Sequence, residues 1–106
     1  MYIAMNRFRV KPDCIAEFEQ RWLDRDVLLT TVPGFVSFQF LRGPVHEDHV
    51  LYASHTIWAS RDAFAAWTQS EQFRKAHAQA GKGWSLTIGP PVFEGFDVVQ
   101  DIAGQG

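Results

Sequence analysis

Apolar and polar positions alternate through the first ten residues. Tyr2, Ala4, Asn6, Phe8 and Val10 fall on one face of an extended segment, and Arg7 and Arg9 on the other. Lys11-Pro12-Asp13 ends that pattern. Proline suits a first helical turn, and an aspartate suits the positive end of a helix. Ile15, Phe18 and Trp22 follow at helical spacing among Glu17, Glu19, Arg21 and Asp24, which predicts an amphipathic helix over 12–28. Val32-Pro33-Gly34 reads as a turn. Residues 35–42 and 50–58 are rich in Phe, Val, Tyr, Ile and Thr and read as strands, joined by a hairpin loop over 43–48. Ser60 is a good N-cap for a second helix carrying Phe64 and Trp67. Ser70 can cap again, so a break is expected before Phe73, with the second part ending near Ala80 at Gly81. Residues 81–91 read as a loop, although Trp84, Leu86 and Ile88 alternate, and 93–100 as a last strand.

The predicted order is strand, helix, strand, strand, helix, strand. It implies an α+β fold of the ferredoxin-like βαββαβ plan, an antiparallel sheet with two helices on one face. Residues 1–100 make one domain and 101–106 a loose tail. The second sheet face has no helix to cover it, and a second subunit is its natural cover.

Composition sharpens this picture in a few places. Fourteen per cent of the 106 residues are aromatic, nine of them Phe and four Trp, which suits an aromatic core or a pocket for a large flat ligand. The net charge is −2 with no basic block, which argues against a nucleic-acid partner. Cys14 is the sole cysteine, so no disulfide forms within the chain, and no apolar run approaches a membrane span. A cytoplasmic setting without membrane association is the expectation.

Three side chains stand in unusual company. Asn6 lies between Ala4 and Phe8 on the apolar face of the first strand. A buried amide without a partner costs roughly 1–3 kcal/mol, so it bonds either nearby backbone or a ligand. His77 falls in the stripe Phe73, Ala76, His77, Ala80, which aims an imidazole at a core or a pocket. Apolar surroundings keep that ring neutral, the form that binds metals. Trp67, beside Phe64, is a core anchor or an aromatic wall. If both helices pack on one sheet face, Asn6, Trp67 and His77 can converge, and an amide, a flat wall and an imidazole suit a large planar metal complex.

The segments Pro33-Gly34-Phe35-Val36-Ser37-Phe38-Gln39-Phe40-Leu41-Arg42 and Thr56-Ile57-Trp58-Ala59-Ser60-Arg61-Asp62-Ala63-Phe64-Ala65-Ala66-Trp67 resemble the antibiotic-biosynthesis-monooxygenase superfamily. The run Ser70-Glu71-Gln72-Phe73-Arg74-Lys75-Ala76-His77 is similar to one branch, the IsdG-like haem-degrading monooxygenases. The resemblance extends from Asn6 to about Gln100. It implies a haem oxygenase in which haem is both substrate and cofactor, consumed with O2 and an external electron donor, with release of iron. It implies that His77 is the proximal iron ligand, that Asn6 hydrogen-bonds on the distal side, and that Trp67 presses the porphyrin out of plane. Phe73, one turn before His77, joins these three as a cofactor-binding candidate. A homodimer with one haem site per subunit is implied as well. No G-x-G-x-x-G pattern is present, so no bound flavin or nicotinamide is expected and a separate reductase is the natural electron source.

Two other functions fit the same residues. One is a cofactor-independent monooxygenase acting on an aromatic polyketide or quinol, with His77 as base or structural residue. The other is a non-catalytic haem-binding protein. Elsewhere, His46-Glu47-Asp48-His49 lacks metalloprotease spacing, His55 shares a strand face with Leu51, Ala53 and Ile57, and Cys14 has no evident base. Arg74, Lys75 and Lys82 read as a solvated basic face, with haem propionates as their functional alternative.

Overall fold

The computed structural model describes residues 1–24, 28–71, 73–74 and 86–104. Four strands form one antiparallel sheet: β1 (Tyr2–Val10), β2 (Phe35–Val45), β3 (Val50–Trp58) and β4 (Val92–Asp97). Their order across the sheet is β2-β3-β1-β4, the ferredoxin-like arrangement that the element order predicts. Helices α1 (Ile15–Leu23) and α2 (Arg61–Thr68) lie on the same face. Aromatic contacts fix that placement. Phe8 of β1 meets Phe18 and Trp22 of α1 at 5.5 Å between ring centroids, and Tyr2 meets Phe64 of α2 at 5.4 Å. Among the described residues no helix is long and apolar enough to cross a membrane.

The predicted helix over 12–28 is shorter in the structure. A 3₁₀ turn at Pro12–Cys14 precedes α1, and α1 ends at Leu23 with Asp24 as its C-cap. The apolar spacing that suggested a longer helix stops at Trp22. Further on, Leu28–Thr31 forms a separate 3₁₀ turn ahead of Val32-Pro33-Gly34. Threonine and valine resist helix, and the residue before a proline avoids the helical region. Gly34 then adopts φ +83°, with its Cα against the Ala63 side chain, and its carbonyl accepts from Ala59 N–H at 2.7 Å. This turn ties the start of β2 to the entrance of α2.

β2 runs on through Gly43 and Pro44 to Val45, into the expected loop. It is an edge strand, where a proline costs no ladder bond, and the register with β3 shifts between Arg42 and Val45. β4 spans Val92–Asp97, starting one residue earlier and ending three earlier than the predicted 93–100. Within 81–91, Thr87 bridges Val10, and Leu86 and Ile88 exchange backbone bonds with Lys11 and Arg9, so β1 gains a short partner beyond β4. Gly95 of β4 lies directly beneath the Tyr2 ring, where any Cβ would overlap the tyrosine hydroxyl.

Ser60 caps α2 as predicted, accepting from Ala63 N–H at 3.1 Å. Ser70 also caps: its hydroxyl accepts from Phe73 N–H at 3.2 Å, and a new helical segment starts there. The expected end of that segment at Ala80 and Gly81 lies outside the described residues.

Among the described residues, the apolar side chains beneath the helices form two clusters. The first holds Val10, Phe18, Val50, Tyr52 and Leu86, with Phe8, Ile15, Trp22 and Phe40 packed against it. The second holds Tyr2, Ala4 and Trp58, joined by Phe35, Phe64 and Trp67. α1 covers the first and α2 the second. The opposite sheet face carries Ile3, Met5, Leu51, Ala53, His55 and Ile57 from the central strands and Val92 and Phe96 from β4, together with Arg7, Arg9 and Glu94, of which Arg7 and Glu94 pair. Val92 and Phe96 are exposed, and no described helix crosses that face.

Candidate active site

The strip of sheet between the two clusters follows from strand periodicity. On β1 the helix-facing residues are Tyr2 and Ala4 in one cluster, Phe8 and Val10 in the other, and Asn6 between them. On β3 they are Val50 and Tyr52, then Ser54 and Thr56, then Trp58. The register pairs Asn6 with Ser54 on one side and with Phe93 of β4 on the other. Polar residues thus occupy the seam between two aromatic cores.

These polar groups are not equivalent. Thr56 is fully engaged: its hydroxyl donates to the Ala4 carbonyl at 3.2 Å and accepts from the Trp58 indole N–H at 2.9 Å. Asn6, half-buried, has no side-chain hydrogen-bond partner among the described residues. The structural role of an amide bonded to nearby backbone therefore has no support there. Ser54, beside it, is 7% exposed, and its hydroxyl likewise has no partner among the described residues. Ser54 was not singled out from sequence. A serine in an amphipathic strand attracts no notice until the register sets it opposite Asn6.

Aromatic rings flank the seam. On the α2 side, Phe64 stacks on Phe93 at 5.6 Å with planes 6° apart. Trp67 packs on the fully buried Trp58 at 5.4 Å and meets Phe73 edge-on at 4.7 Å. Trp67 is thus part of the core and in contact with the segment that Ser70 starts. Its outer flank borders a shallow hollow of about 160 Å³ lined by Val32, Pro33, Ala63 and Ser70. This is smaller than the ~300–1,000 Å³ of ordinary small-molecule pockets. On the α1 side, Trp22 stacks on Phe40 at 5.0 Å, and Phe40 stacks on Tyr52 at 5.4 Å.

The structure therefore brings Asn6, Trp67 and Phe73 to one face of the sheet. His77, Lys75 and Lys82 lie outside the described residues, and Arg74 is exposed. The role expected of His77 rests on the sequence.

The α1 end carries a second polar cluster. Glu19 accepts from the Tyr52 hydroxyl and from Arg42, whose Nη2 lies at 2.6 Å. The tyrosine hydrogen bond, reinforced by Arg42, holds the Glu19 carboxyl below the usual carboxylate range. Burial and the bond to Glu19 push the Tyr52 hydroxyl up. The cluster keeps α1 on the β2–β3 side of the sheet, away from Asn6.

Other candidates resolve into local structure. His46 and His49 stack at 4.6 Å, with His49 Nδ1 2.7 Å from Asp48. No group of three or more metal-ligating side chains occurs among the described residues. His55 bonds Gln39 at 2.7 Å on the open sheet face, with Leu51, Ala53 and Ile57 as alternation predicts. Burial, followed by the neighbouring Asp13, raises the Cys14 thiol above its ordinary value, the reverse of what a nucleophile needs.

The sequence profile of the antibiotic biosynthesis monooxygenases matches residues 1–79. The chain belongs to that family. Among solved structures, the haem degrader MhuD from Mycobacterium tuberculosis, determined with two haems in its active site, is 30% identical. The match covers 97% of this chain and 100% of that one, with a TM-score of 0.73. The cofactor-independent oxygenase SnoaB from Streptomyces nogalater is 25% identical over 97% of both chains, with a TM-score of 0.67. Family membership points to monooxygenase chemistry, and a haem degrader and a cofactor-independent oxygenase share this fold.

Asn6→Ala tests whether the amide is structural. With no internal bond to lose, the variant is expected to change unfolding free energy by less than about 0.5 kcal/mol in urea denaturation. Loss of a structural hydrogen bond from a buried partner would cost roughly 1–3 kcal/mol.

Proposed function

We propose that this monooxygenase degrades haem. It would bind haem as substrate and cofactor, open the porphyrin with O2 and electrons from an external donor, and release iron. The observation that carries the reading is the unpartnered Asn6 amide set between two aromatic clusters, in a chain 30% identical to a haem degrader. A flat apolar ligand suits aromatic walls, and a single amide donor suits a polar ligand held above its centre.

In this reading Asn6 hydrogen-bonds on the distal side and Trp67 presses on the ring face. Phe73, edge-on to Trp67, limits how far the indole can yield. His77 would hold the haem iron through its imidazole, a role that rests on the run Ser70 to His77. Bound haem supplies the redox chemistry, and the protein supplies placement. Fixing a ring carbon against the reacting oxygen removes the freedom that a bimolecular encounter would have to lose.

We also propose that the protein works as a homodimer, its open sheet face packed on that of a second copy. The exposed Phe96, level with Ile3 and Ile57 in the register, and the exposed Val92 beyond the Arg7–Glu94 ion pair support this face as the contact. Light scattering should give twice the 12.1 kDa chain mass, falling to the single mass in Ile57→Lys. A wild-type particle of one chain mass would contradict it.

The function is tested by mixing protein with haemin in air, adding ascorbate and catalase, and following the Soret band. Steady loss of the band in wild type is expected, at least tenfold slower in Asn6→Ala and His77→Ala, on the order of one lost charge-assisted hydrogen bond or more. A shifted but stable band, with every reductant tried, would instead indicate a haem-binding protein without catalysis. No spectral change would exclude haem and favour the cofactor-independent oxidation of a phenolic substrate.

A further inference from the structure

Ser54 has a deeper position than Asn6 and fewer alternatives. It sits on the central strand β3, flanked by Asn6 of β1 and Phe40 of β2. Toward β2 its register partner is Phe40, whose ring stacks on Tyr52 and Trp22. Along its own strand, the next helix-facing hydroxyl, Thr56, is already committed to Trp58 and to the Ala4 carbonyl. Among the described residues, the polar side chain opposite it in the register is the Asn6 amide. Directly opposed residues on antiparallel strands hold their Cβ atoms about 4.5–5.5 Å apart. Yet Asn6 and Ser54 make no hydrogen bond to one another, and neither has another side-chain partner among the described residues. Ser54 is 7% exposed, and among the described residues no fully buried side-chain nitrogen or oxygen lacks a partner, so its unpaired hydroxyl is reachable from the seam, where a bound polar ligand can meet it.

We propose that Asn6 and Ser54 act as a pair, holding one small oxygen-bearing or anionic ligand between them by two hydrogen bonds. In the ligand-free protein that ligand is a water molecule. In the haem complex it is whatever occupies the exchangeable position of the iron, so this second half rests on the proposed function. Ser54 is a positioning residue. Its hydroxyl fixes the direction of the ligand that Asn6 alone would leave free to swing, and it can accept a hydrogen bond as well as donate one. The seam then discriminates by polarity at its floor and by flatness at its walls.

Two measurements separate this inference from the haem reading. The first needs no haem. A crystal structure of the ligand-free protein should show one ordered water within hydrogen-bond distance of both the Asn6 amide and the Ser54 hydroxyl, and Ser54→Ala should lose it. The second uses the ferric haem complex titrated with fluoride, an anion that binds iron and accepts hydrogen bonds. Ser54→Ala should weaken fluoride about tenfold while leaving haem affinity and Tm unchanged, and Ser54→Thr should stay within about threefold of wild type. No shared water in the wild type, or fluoride affinity unchanged in Ser54→Ala, would overturn the pairing. Failure of the wild type to bind haem would overturn the proposed function, and the pairing would then stand or fall on the water alone.

Discussion

The antiparallel register between β1 and β3 is the constraint on which the rest depends. It sets Tyr2 against Trp58, Phe8 against Tyr52 and Val10 against Val50, so each end of the two central strands presents a large apolar pair to the helices. The same register leaves Asn6 opposite Ser54 in the middle. A slip of one residue would turn every one of these side chains to the other sheet face. It would carry Arg7 and Arg9 under the helices and leave the aromatic rings in water. The apolar ends therefore hold the polar seam in place, and stability at the ends guarantees geometry at the centre.

Two helices then do different work. α1 is fixed by Phe18 and Trp22 within the first cluster and by the bond network of Glu19, Arg42 and Tyr52. α2 is fixed by the cap of Ser60 and by Phe64 and Trp67 over Trp58. Among the described residues, neither helix gives Asn6 or Ser54 a side-chain hydrogen bond. Splitting the core in this way sacrifices a continuous apolar layer, and the small domain has little burial to spare. A homodimer that buries the opposite sheet face would return some of that stabilisation.

Much of this was legible in the chain. β3 was read at its true bounds because Val50 to Trp58 is rich in β-branched and aromatic residues. Ser60 and Ser70 were readable as caps because a serine before a helical apolar pair has one common use. The end of α1 was not, since nothing between Trp22 and Pro33 marks a stop as plainly as a glycine does. The site was half legible. Asn6 stood out by being polar on an apolar face, a property of one strand. Ser54 did not, because its meaning comes from a partner 48 positions away that only pairing reveals. The two-part core was equally hidden, as it depends on which helix covers which end of the sheet.

Haem bound over the seam at Asn6 would set a ferric iron close to that amide. The most direct test is to add haemin to ¹⁵N-labelled protein and follow the side-chain N–H signals, since ferric iron broadens nuclei near it. The Asn6 amide and the Trp67 indole signals should broaden first, while backbone signals of the hairpin at 46–49 stay sharp. Broadening at the hairpin or the open sheet face, with Asn6 and Trp67 unchanged, would contradict it.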